Sequence, residues 1–143
     1  MKISGWTQNS DYSTQDLGAV AFERASAVVP SFPWAEQLGD YAERLLREED
    51  ACPPGVGFNT DASVEVFHLF ATASDEWTLR LVLRAPGKIL GLFRKPAHES
   101  CTTIESLDKG IALLALFYAG DREQLIAEAR KRPSSDWNLP LTS

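Results

Sequence analysis

Apolar and polar positions alternate most sharply between Val64 and Lys95, in a pattern that predicts three short strands joined by tight turns. In the middle segment, Trp77, Leu79, Leu81 and Leu83 alternate with Thr78, Arg80, Val82 and Arg84. A period of two places the first set on one face of a strand and the second on the other. Ala85-Pro86-Gly87-Lys88 has Pro and Gly at the central positions of a type II turn, where Gly tolerates a positive φ. Pairing Ala85 with Lys88 sets Leu83 opposite Leu90 and Leu81 opposite Leu92, and puts Arg80 beside Phe93 on the other face. Type II turns match strand twist less well than the primed turns, so a wider loop is the alternative for this connection. Upstream, Val64 to Phe70 is apolar on both faces, as in a strand covered on both sides or lying at an interface. The expected meander spans about 64–71, 77–84 and 88–94.

Helical periodicity marks the rest. Pro33 suits a first turn, and Trp34, Leu38, Tyr41, Ala42 and Leu45 fall on one stripe, predicting a helix over about 34–49. Asp40 with Arg44 and Glu43 with Arg47 are i,i+4 pairs on its other side. Thr102 and Glu105 have capping-box spacing ahead of Leu107, Ile111, Leu114 and Phe117, predicting a helix over about 103–119 that ends at Gly120. A last helix is expected over about 122–132, stopped by Pro133. Leu17 to Val29 reads as a helix that turns extended before Pro30. Residues 1–16 and 134–143 read as peripheral segments of a single domain covering 1–143. Separated runs of strands and helices argue for an α+β fold, with Leu79, Leu81, Leu83, Leu90 and Leu92 meeting Ile111, Leu114 and Phe117 in the core.

Charge changes this picture by being unevenly spread. The 143 residues carry a net charge of −6. Residues 77–97 hold Arg80, Arg84, Lys88, Arg94 and Lys95 with no acid, whereas residues 34–50 hold six acids against Arg44 and Arg47. The acidic total argues against nucleic acid as a partner, since phosphate neutralisation needs Lys and Arg. No run approaches the roughly 18–20 apolar residues of a membrane span, and the first residues lack a secretory h-region, so a cytoplasmic location is expected. Free thiols at Cys52 and Cys101 are then expected over a disulfide.

Catalytic chemistry is poorly supported. His68 lies in an apolar strand and reads as a buried, hydrogen-bonded imidazole. His98 and Cys101 share a segment, but adjacency alone does not make a Cys–His pair. His98, Glu99, Cys101 and Cys52 match no zinc spacing, and Gly55-Val56-Gly57 is not a dinucleotide fingerprint, so no cofactor or metal is expected. The strongest lead is the mixed cationic and apolar face carrying Arg80, Val82, Arg84, Lys88 and Phe93, because Arg and aromatic residues are enriched in protein interfaces. The expected role is a non-enzymatic, protein-binding module, comparable in size and charge to an immunity protein or a secretion chaperone. It would use that face or the acidic helix. The rivals are a small-ligand binder or enzyme with a pocket near His68 and residues 52–59, and a homodimer paired through Val64 to Phe70.

Overall fold

The computed structural model of the chain describes residues 2–61, 65–84 and 98–135. In chain order its elements are β1 (Ile3–Gln8), β2 (Thr14–Ala19), α1 (Phe22–Ser31), α2 (Trp34–Leu46), β3 (Gly55–Thr60), β4 (Val66–Ala73), β5 (Glu76–Leu83), β6 (His98–Ile104), α3 (Leu107–Ala119) and α4 (Arg122–Arg130). The strands form one antiparallel sheet in the order β2-β1-β3-β4-β5-β6.

The α+β class and the antiparallel β4–β5 hairpin agree with the sequence pattern, but three strands understate the sheet. Leu81 pairs with Phe67 and Leu79 with Leu69, so the leucines of β5 share one face with the large side chains of β4. That face is buried against Ala25 and Val29 of α1, Leu113, Leu114 and Phe117 of α3, and Leu125 of α4. Gly110 lets α3 approach β4 closely, since a Cβ there would stand 3.0 Å from Leu69 Cδ2.

The other edge of β5 is taken by β6, with Trp77 opposite Ile104 and Leu83 opposite His98. The position expected for a strand at 88–94 beside β5 is therefore occupied by residues 98–104. Residues 88–94, with the Ala85–Lys88 turn, Leu90 and Leu92, lie outside the described residues. Thr102 is consequently a strand residue, not a helix cap. The α3 cap is Ser106, whose Oγ accepts from the Lys109 amide at 3.2 Å. The β-branched run Thr102-Thr103-Ile104 overrode the capping-box spacing.

The N-terminal segment is also corrected. Residues 3–8 and 14–19, expected at the periphery, are strands, and Ile3 is buried in the core. The helix expected from Leu17 starts at Phe22 and runs through Pro30 to Ser31. Pro30 sits in the last turn, where its ring removes a single hydrogen bond and the helix ends at once. At the other end, residues 133–135 pair with β6, with the Thr103 amide donating to Pro133 O at 3.0 Å and the Ser135 amide to Cys101 O at 2.9 Å.

Candidate functional site

Arg80 stands directly opposite His68 on β4 and Cys101 on β6, so these three share the sheet face turned away from α3. This face is not an open basic surface. Val82 and His68 are buried, and Arg80 and Arg84 are half-buried. The Arg84 amide donates to Glu65 Oε2 at 3.0 Å. Lys88 and Phe93 lie outside the described residues.

Two glycines make room for the rings on this face. A Cβ on Gly57 would run into the Trp6 indole, and one on Gly55 would come within 3.0 Å of His68 Nε2. The His68 ring packs between Trp6 and Phe70, with centroids 4.7 and 5.1 Å away. Burial pushes the imidazole down to about 3, with the Arg80 charge adding to the effect, so the ring is neutral at physiological pH. Among the described residues its Nε2 has no hydrogen-bond partner, and neither has Arg80 Nε. The expected buried histidine is present, then, but without a bond at Nε2.

Other candidate chemistry disperses. His98 and Cys101 are three apart on β6 and so point to opposite faces. His98 Nε2 bonds Ser100 Oγ at 2.7 Å. Cys52 and Cys101 are both free thiols, and burial pushes Cys52 up to about 11, far from a reactive thiolate. Among the described residues no group of three His, Cys, Asp or Glu side chains is arranged to hold a metal, and no helix is long and apolar enough to cross a membrane.

A different surface emerges at the C-terminal end of α2. The β1–β2 turn fixes this helix, with the Ser10 amide donating to Gln37 Oε1 at 2.9 Å and Ser10 Oγ to Asp40 Oδ2 at 2.5 Å, and it holds the segment after the helix through Tyr12 OH, which donates to Ala51 O at 3.1 Å. Trp34 and Tyr41 are buried as the helical stripe predicts, but Leu45 is 53% exposed and Leu46 85%. Tyr41 and Leu45 form one wall of an open groove of about 530 Å³. Thr72, Glu76, Trp77 and Thr78 of the β4–β5 hairpin form the opposite wall, with Thr103 of β6 and Ser135.

The end of α2 closes in a Schellman arrangement. The Glu49 amide donates to Arg44 O at 2.9 Å and the Glu48 amide to Leu45 O at 3.2 Å. Glu48 occupies the left-handed position, φ 57°, usually given to glycine. Tyr12, at φ 73°, is the one other described non-glycine residue with a positive φ, and it is 57% exposed. Electrostatically this end is acidic. Arg44 is engaged by Asp40 at 2.7 Å and Glu49 at 3.7 Å, and Arg47 by Glu43 at 3.4 Å. Glu48 and Asp50 have no cationic partner among the described residues.

Sequence reasoning identified the acidic helix but assigned Leu45 to its buried stripe. The groove was invisible to it because its walls come from four separate segments. Comparison with protein-family models, curated proteins and solved structures finds no match, so the functional reading rests on the chain's own residues.

Proposed function

We propose that this protein is a non-enzymatic module that binds another protein, docking it at the C-terminal end of α2. One observation carries the reading: adjacent leucines, Leu45 and Leu46, stand exposed at an open groove whose lining includes Leu45, Trp77 and Thr78. Exposed apolar patches rimmed by polar residues mark protein contacts, and these two leucines are two of the three large apolar side chains exposed among the described residues. The sheet face around Arg80 and Arg84, the first candidate from sequence, has less accessible surface because Val82 is buried and both arginines are half-buried. Roles such as an immunity protein or a secretion chaperone match the size and acidity of the chain.

The test is affinity capture from the native host's lysate, using the wild type, Leu45→Ser/Leu46→Ser and Arg80→Gln/Arg84→Gln. A stoichiometric partner lost with the leucine variant and kept with the arginine variant is the expected result. Loss with the arginine variant alone would move the contact to the sheet face. No partner in any of the three would contradict the reading.

A small-ligand site beside His68 is the second reading, favoured by the unpartnered Nε2 of His68 and Nε of Arg80. Unsatisfied buried polar atoms call for an explanation, and a bound polar ligand is one. It predicts a thermal shift with some metabolite that His68→Phe abolishes, because a ligand of the native state alone raises stability.

A further inference from the structure

Resting on the protein-binding reading, we propose that the α2 end and its groove receive a basic segment of the partner, anchored by a large apolar side chain seated between Tyr41, Leu45 and Trp77. Charge decides the class. The groove carries Glu76 on its lining, and α2 ends in Glu48, Glu49 and Asp50. The two arginines of this region are already engaged by Asp40, Glu43 and Glu49. A second copy docking by the same surface would bring like charges together, and an acidic partner or nucleic acid would meet the same repulsion. A cationic segment meets no such penalty, and its encounter is steered by the field of this end of the molecule.

Glu48 supplies an independent argument. Its backbone holds the left-handed conformation that glycine adopts without steric cost, and among the described residues its side chain has no hydrogen-bond or ion-pair partner. A strained position filled by a free carboxylate beside exposed leucines fits a contact residue better than a structural one. Leu45, exposed on the groove's lining beside Tyr41 and Trp77, is the apolar contact that the groove offers such an anchor.

The experiment titrates the full chain by calorimetry with three synthetic peptides. The first has leucine and lysine in helical spacing, the second replaces lysine by glutamate, and the third replaces leucine by serine. One-to-one binding of the first is expected, with affinity falling as salt rises, no binding of the second, and at least roughly tenfold weaker binding of the third. Leu45→Ser/Leu46→Ser should weaken the first peptide by a similar factor. Glu48→Gly should weaken it severalfold while raising the thermal midpoint, an outcome that unfolding cannot mimic. Equal binding of the glutamate peptide, or unchanged affinity in both variants, would overturn the proposal. A lysate partner that is lost with the leucine variant but contacts this end through an acidic segment would overturn the basic class alone and leave the protein-binding reading standing.

Discussion

Glu65 and Arg122 form a largely buried ion pair, and removing one partner should be costly. Glu65 immediately precedes β4, and Arg122 opens α4, so the pair ties the sheet to the last helix. Arg122 donates from Nε at 2.9 Å and from Nη2 at 2.5 Å to the two carboxylate oxygens. Its Nη1 donates to Phe117 O at 2.9 Å, and its guanidinium lies 4.9 Å from the Phe117 ring centroid. The side chains are only 16% and 10% exposed. Breaking a buried pair by removing one partner costs about 3–5 kcal/mol. Arg122 keeps its Phe117 contacts in Glu65→Gln, so the lower end, about 3 kcal/mol, is expected. In a chain of this size that corresponds to a fall of roughly 10 °C in Tm. Urea unfolding of wild type, Glu65→Gln, Arg122→Met and the double variant should give a coupling energy above about 1 kcal/mol.

The pair also sets an acid dependence. Burial raises the Glu65 carboxyl, but the Arg122 hydrogen bonds and the Arg84 amide more than offset it and leave it below its ordinary value of 4.5. Its stabilisation is therefore complete above pH 4.5 and is lost as the pH falls through the lowered folded value. Glu65→Gln should lack that acid component. A single-variant cost below about 1 kcal/mol with no coupling would refute this account of the pair.

Three further outcomes follow from the geometry. His68 titrates near 3 when folded against 6.5 in the ordinary case, so the unfolded chain takes up a proton that the folded chain refuses. Stability should fall by up to about 1.4 kcal/mol per pH unit as the pH drops below 6.5, and His68→Phe should flatten that slope in urea midpoints; an unchanged slope would mean that His68 is not buried neutral. Gly55→Ala should cost about 3 kcal/mol, because its Cβ would stand 2.6 Å from Leu69 O, a backbone atom that cannot swing away. Glu48→Gly should stabilise the fold by about 0.5–1 kcal/mol in the same assay, the left-handed strain relieved less the extra entropy of an unfolded glycine; a loss of stability would mean that the Glu48 side chain contributes to the fold.

Strongly periodic segments were legible from sequence, and segments fixed by tertiary pairing were not. The alternation in β5 and the stripe in α2 each correspond to an observed element because the apolar face of each packs into the core. β1 and β2 were missed because Ser4, Thr7, Gln8 and Gln15 give a short strand no apolar alternation. What holds β1 there is its place between β2 and β3, with Trp6 lying over Gly57. β6 was missed because Thr102 and Glu105 offered a local cap that lost to pairing with β5. The site divides the same way. Arg80, Val82 and Arg84 were placed on one strand face by a period of two, but periodicity cannot tell which face a fold covers. Leu45 was read as core from its spacing, and the structure leaves it exposed at the end of α2.

Backbone hydrogen exchange, with and without the leucine–lysine peptide, tests the central claim most directly because it locates the contact as well as detecting it. Added protection confined to residues 41–50 and the β4–β5 hairpin near Glu76 to Thr78 is the predicted result. Protection centred on Arg80 and Arg84, or none at concentrations that saturate the calorimetric titration, would contradict docking at the end of α2.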